Sequence, residues 1–321
     1  MKNKPMTYGS LKTVIEYMDP NTRIILSSRI PSIRTAERAV PLKIDFLEIG
    51  NRFIKVNETK YEYGSYQDDF KDKCYYKVSG YYRYNYTLVC DVDEHANCDI
   101  ECRKHREFLH RSEESLRELM FAKRHYAVVV KNLKISQECP LRMPRDLKMN
   151  IRNLEFVDNV PSNLKLIKPI IDESCLPLEN LYIFIGDNKS KEIDYEFIKN
   201  CKFLEYFDMV NVHLPQIQQF RNQRVQFSMA YSFPKQEGFI DLIRNWLETD
   251  KPIGTCFEFI SNRKEFLSMG ILNRVRNQFD EAIVGNKCVN IPMKNSSLLE
   301  ISYELDDTNS YWIKMAVVPI E

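Results

Sequence analysis

From Leu147 to Phe227 the chain repeats one pattern, a short apolar run followed by a helical stretch. Asn153-Leu154-Glu155-Phe156 leads into residues 162–171, and Leu178-Glu179-Asn180-Leu181-Tyr182-Ile183 into residues 194–200. Cys201-Lys202-Phe203-Leu204-Glu205-Tyr206-Phe207 leads toward 215–220, and Val225-Gln226-Phe227 adds a fourth run. On Leu181-Tyr182-Ile183-Phe184 the alternation puts Leu181 and Ile183 on one face, Tyr182 and Phe184 on the other. Both faces are apolar, so helices must cover one and something else must cover or use the other.

The run Leu178–Ile183 has the form L-x-x-L-x-I, the strand signature of leucine-rich repeats, and the runs recur at about 23–27 residues, within that class's range. The repeats are irregular and lack the asparagine ladder position, so the expectation is a solenoid-like β/α section. A curved sheet with helices behind it is a binding surface. Aromatic anchors favour interfaces, which makes Tyr182 and Tyr206 the expected partner contacts. The alternative places both under the neighbouring helices.

The flanks obey other periods. Tyr8, Leu11, Val14, Ile15 and Met18 form one helical stripe. Asp19-Pro20 starts a second helix, which must stop before Pro31, and Ser32 opens a third that Pro41 ends. Three small helices cannot bury a core alone. After Pro41 the period becomes two: Leu42, Ile44 and Phe46 alternate with Lys43, Asp45 and Leu47, Gly50-Asn51 reads as a hairpin turn, and 53–56 and 60–63 extend the meander. A tyrosine-dense strand over 81–89 and a charged helix over 101–123 form an insertion. The end of the chain reads as a strand (253–259), a helix (266–279) and three strands (282–291, 298–304, 311–318). The expected fold is α+β in four segments: a helical segment 1–40, a β-meander with its insertion 41–146, the solenoid-like section 147–235, and an α+β unit 236–321.

Composition narrows function by exclusion. Lys+Arg is 46 against Asp+Glu 45, a net charge of +1. That balance draws the chain neither to nucleic acid nor to an anionic membrane. No signal peptide is apparent, and the longest apolar runs, such as 126–130 and 181–185, are strand-length. The nine cysteines are an odd number that suits reduced thiols in a cytoplasmic or nuclear protein. All nine glycines stand isolated, so no loop cradles a pyrophosphate. No hydrolase, metalloprotease, nucleotide-binding or kinase signature is present. The reading is therefore a protein that is not an enzyme and needs no cofactor. Cys90, His95, Cys98, Cys102 and His105 have the ligand types for zinc, but without a Cys-x2-Cys knuckle they read as thiols without metal. The aromatic run from Tyr75 to Tyr86 could stack bases, but on a strand it reads better as an amphipathic sheet edge.

The N-terminal residues Pro5-Met6-Thr7-Tyr8-Gly9-Ser10-Leu11-Lys12-Thr13-Val14-Ile15-Glu16-Tyr17-Met18-Asp19-Pro20, with Leu26-Ser27 and Ile30-Pro31-Ser32-Ile33-Arg34, resemble an F-box in the divergent form of the nematode-expanded F-box C family. The stretches 163–173, 285–293 and 311–315 resemble the same family. The resemblance implies a substrate-recognition subunit of a cullin-based ubiquitin ligase. Its N-terminal helices would dock a Skp-type adaptor through Pro5, Leu11, Ile15 and Leu26, and its body would hold a target protein. The alternative is a protein-binding scaffold that has lost adaptor docking.

Overall fold

The computed structural model describes residues 7–68, 71–79, 86–90, 114–136, 143–157, 160–185, 194–199, 201–208, 214–228, 230–262, 264–294, 296–307 and 309–320. It has an α+β fold with N-terminal helices, as expected, and divides into two compact units. One holds residues 1–157 and 162–176, the other 158–161 and 177–321.

The first unit opens with α1 (Tyr8–Glu16), α2 (Pro20–Arg29) and α3 (Pro31–Arg38). Then come β1 (Lys43–Gly50), β2 (Phe53–Val56), β3 (Thr59–Asp68), β4 (Lys71–Ser79) and β5 (Tyr86–Cys90). Helix α4 (114–121), β6 (Val128–Ser136), β7 (Met149–Phe156) and α5 (Val160–Ile167) follow. The strands lie in the order β5-β4-β3-β2-β1-β6-β7. β1 to β5 pair in succession as an antiparallel meander, while β6 and β7 join the other side of β1 in parallel.

The first repeated strand therefore stands earlier than the sequence pattern suggested. Asn132-Leu133-Lys134-Ile135 of β6 aligns with Asn153-Leu154-Glu155-Phe156 of β7. Leu47, Leu133 and Leu154 stack in one buried row, and Ile49, Ile135 and Phe156 in the next. Asparagines one residue ahead of the central leucines, not at the leucine-rich-repeat ladder position, link these strands. Asn153 Nδ2 donates to Asn132 Oδ1 at 2.8 Å, and Asn132 Nδ2 to the Asp45 carbonyl at 3.0 Å.

The β1–β2 hairpin puts its strain one residue away from the expected place. Arg52 takes the left-handed conformation, φ 62°, while Gly50 is the last residue of β1, paired with Phe53. A Cβ on Gly50 would lie 2.1 Å from the Phe53 ring, so any larger residue there displaces that ring.

The second unit contains β8 (Leu178–Ile185), α6 (Tyr195–Ile198), β9 (Cys201–Asp208), α7 (Leu214–Ile217), β10 (Arg224–Phe227), α8 (Glu237–Thr249) and β11 (Cys256–Asn262). It continues with α9 (Glu265–Gln278), β12 (Ile283–Val284), β13 (Cys288–Pro292), β14 (Ser297–Leu305) and β15 (Tyr311–Pro319). The order is β8-β9-β10-β11-β15-β14-β13-β12. The first four strands are parallel, and the chain then returns antiparallel from β15 out to β12. Two expectations need correction. The stretch 282–291 is not one strand: Lys287 at φ 59° folds it into the β12–β13 hairpin. Helix α8 was not anticipated, although Phe239, Leu242, Ile243 and Trp246 recur at helical spacing and are all buried. Its Trp246 and Phe239 rings meet Phe257 and Phe259 of β11 at 4.8 and 5.7 Å, so α8 covers one face of the sheet.

Candidate functional site

Two surfaces carry the residues singled out in the sequence. The first lies on the N-terminal helices. Thr7 caps α1, its hydroxyl accepting from the Ser10 N–H at 3.2 Å, and Asp19 caps α2 by accepting from the N–H groups of Asn21 and Thr22 at 2.9 and 3.0 Å. Ile15, Ala36 and Val40 form a small buried cluster with Leu11 and Ile33 packed against it. The α1 stripe is thereby divided. Leu11 and Ile15 face inward, whereas Tyr8, Val14 and, just beyond the helix, Tyr17 are exposed, Tyr17 at 85%.

Polar groups fix these helices to the sheet of the same unit. Asn21 Nδ2 donates to the Val56 carbonyl at 3.1 Å, and the Tyr61 hydroxyl donates to Asn21 Oδ1 at 2.8 Å. The Glu37 carboxylate accepts from Arg23 and from Arg124, each at 3.0 Å, with all three side chains sealed from water. Burial pulls both guanidinium pKa values down, and the Glu37 charge opposes that pull. Arg23 also donates to the carbonyls of Pro41 and Val40, at 2.7 and 3.0 Å.

Of the four residues expected to dock an adaptor, Pro5 lies outside the described residues. Leu11 and Leu26 are half-buried. Ile15, 2% exposed, is a core residue, a correction that follows from α3 closing over that side of α1. The exposed apolar groups Val14, Tyr17 and Ile30 were not chosen from the sequence. Periodicity alone placed Val14 on the inward stripe, because it cannot tell which edge of a stripe α3 leaves open.

The second surface is the sheet face of the second unit opposite α8. On the side that α8 covers, Ile183, Tyr206, Phe227, Phe259 and Ile313 pair in one row across five strands and are buried. Tyr206 packs edge-on against Phe220 and Phe227, at 5.2 and 5.9 Å. It is 0% exposed, which corrects its expected contact role: residue parity puts it on the helix-covered side. Tyr182, one residue out of phase, is 40% exposed and heads the opposite row, Tyr182, Glu205, Gln226, Glu258 and Lys314. Beside it Phe184 and Phe207 stack at 5.0 Å. The Arg224 guanidinium lies 5.3 Å from the centre of the Phe203 ring and 3.0 Å from Glu258. This face carries aromatic rings at β8 and β9 with Glu205 among them, and the charged Arg224, Glu258 and Lys314 farther along the sheet.

Cys256 shares that face with Glu258. Burial and the neighbouring Glu258 push the Cys256 thiol up to about 12, so it carries almost no thiolate at neutral pH and is a poor nucleophile. Among the described residues no group of three or more His, Cys, Asp or Glu is placed to hold a metal ion, and no helix is long and apolar enough to cross a membrane. The cysteine–histidine stretch 95–105 and the tyrosines 81–85 lie outside the described residues.

The family described as Domain of unknown function (DUF3557) matches residues 109–263, just under half of the chain. The matched stretch takes in α4 and ends just past β11, so it spans every parallel strand except β1. No curated protein and no solved structure matches the chain.

Proposed function

We propose that this chain is a non-catalytic recognition subunit of a cullin-based ubiquitin ligase, acting in the cytoplasm or nucleus. Its N-terminal helices dock a Skp-type adaptor, and its body holds a target protein. One observation supports the docking half above all. After the three helices fill their own cluster and anchor to the sheet, Tyr8, Val14, Tyr17 and Ile30 still face outward. Full burial of one such side chain contributes at most about 1.5–3 kcal/mol, set against the entropy lost on association. The exposed Tyr182 and the half-buried Phe184, Phe203 and Phe207 support the target-binding half, since aromatic anchors dominate interface energetics.

The resemblance of residues 5–34 to an F-box supplies the partner's identity. The test is co-precipitation of a purified Skp-type adaptor with the full chain. Val14→Asp combined with Tyr17→Asp should abolish capture and leave the melting temperature within about 2 °C, because both side chains are exposed. Capture that is absent in the parent protein, or untouched in the variant, refutes docking. Burial of Ile15 favours a second reading, a scaffold without adaptor contact whose helices only pack on the sheet. That reading expects target binding without adaptor capture.

A further inference from the structure

We propose that the edge strand β12 takes up an extended acidic peptide by strand addition, with one aliphatic side chain of the peptide filling the cavity beside it. The inference rests on the target-binding half of the reading above and is independent of adaptor docking. Strand β12 ends the sheet order, so no described strand lies beyond it. The Gly285 N–H donates to the Cys288 carbonyl at 3.0 Å, which makes that pair the hydrogen-bonded rung of the β12–β13 ladder. The next rung, Val284 opposite Val289, is then a non-bonded pair. Val284 therefore directs its N–H and C=O away from β13, toward any strand that arrives. Edge strands are ordinarily guarded by charge, proline or a bulge. β12 consists of Ile283 and Val284, 58% and 56% exposed; its one guard is its two-residue length, and it carries no charge, proline or bulge.

Between β12–β13 and helix α9 lies a cavity of about 140 Å³, walled by Leu272, Val289, Met269 and Val284. That is well below the roughly 300–1,000 Å³ of a small-molecule site, and it suits a single side chain. The lining also contains Arg276 and Lys287 and no carboxylate. Lys287 is paired with Glu265 at 3.0 Å, whereas Arg276 makes no ion pair among the described residues. An open backbone edge, an apolar socket and an available guanidinium meet at one place. Together they describe the occupant: an extended segment with an aliphatic residue and, two positions along and so on the same face, an acidic one, bound by main-chain hydrogen bonds, with side-chain pockets giving specificity.

The probe is a fluorescein-labelled octapeptide with valine and glutamate at every second position in turn and serine between them, which puts both on one face, titrated with the full-length protein and read by anisotropy. A valine–lysine octapeptide serves as the control. Saturable binding of the acidic peptide is expected, with the basic one weaker by about tenfold or more. Arg276→Glu should reverse that preference. Val284→Pro removes the outward N–H and should abolish binding, and its melting temperature separates loss of binding from loss of fold. Absence of saturable binding, equal binding of the two peptides, or indifference to both variants overturns the proposal. So does concentration-dependent self-association that Val284→Pro abolishes while the peptide fails to bind, because the edge would then serve a second copy of the chain. Adaptor capture is measured on the same preparations, so failure at β12 is distinguishable from failure of docking.

Discussion

Arg124 donates to the Glu37 carboxylate at 3.0 Å across a sequence separation of 87 residues, and both side chains are nearly sealed from water. The contact joins the end of α3 to the segment between α4 and β6. Arg23 on α2 donates to the same oxygen. The helices proposed to dock an adaptor are thus held to the sheet by charge that has lost its solvent.

Glu37→Gln should destabilise the first unit by about 3–5 kcal/mol, because it leaves two buried guanidinium groups without a counter-charge. Adding Arg124→Met should cost less than the sum of the two single changes, since the second removes a charge that the first has orphaned. Each guanidinium also bonds the backbone, Arg124 the Met120 carbonyl at 2.9 and 2.6 Å and Arg23 those of Pro41 and Val40, so removing Glu37 rescues only part of the loss of either. Urea unfolding midpoints of the three variants and the parent check this. Additive costs would mean that the triad does not act as a unit.

Gly50→Ala should destabilise the β1–β2 hairpin by about 1–3 kcal/mol, the usual cost of forcing bulk into a packed site. The obstacle is the ring of Phe53, so Gly50→Ala combined with Phe53→Leu should recover part of the loss. Thermal melts of both variants provide the measurement. No recovery would locate the cost in the backbone.

How much of this was legible in the sequence depended on what each signal measures. Strand–helix alternation found β7 to β10 because each run carries its own turn residues and apolar pair. The same signal failed for β6, since the helical stretch that should pair with it falls among prolines and charges between Gln137 and Asp146. The α+β class followed from period changes at Pro41 and after Phe227. Tyr182 and Tyr206 show where such reading ends. Both stand on strands of the same parallel sheet, and only the register across β8 and β9, which pairs Ile183 with Tyr206, assigns them to opposite faces. Ile15 and Val14 differ in the same way: which of two adjacent apolar residues is covered is decided by the packing of α3, a tertiary fact. Arg23, Glu37 and Arg124 gave no signal, because a buried ion group looks like ordinary surface charge until the chain brings it together.

Cys201 gives a pH dependence whose sign can be worked out. The residue is 4% exposed, and its thiol donates to the Ile198 carbonyl at 3.1 Å and accepts from Asn222 at 3.1 Å. Burial pushes its pKa from 9.0 up to about 12, with the Asn222 hydrogen bond opposing. The folded chain therefore holds its proton through a range in which the unfolded chain releases it. The stabilisation is fully present below about pH 9 and is lost as pH rises toward 12. Each pH step of one between those two values removes about 1.4 kcal/mol, so the loss across the window is at most about 4 kcal/mol. Lysines and tyrosines titrate over the same range, so the measurement is the difference in slope between the parent protein and Cys201→Ala, taken from urea unfolding at several pH values between about 8 and 11. The parent should lose stability faster than the variant as pH rises. Iodoacetamide gives an independent check: at about pH 8 the native thiol should stay unmodified while the unfolded chain reacts. Parallel slopes, or rapid alkylation of Cys201 in the folded protein, would show that the site is wetter than its packing implies.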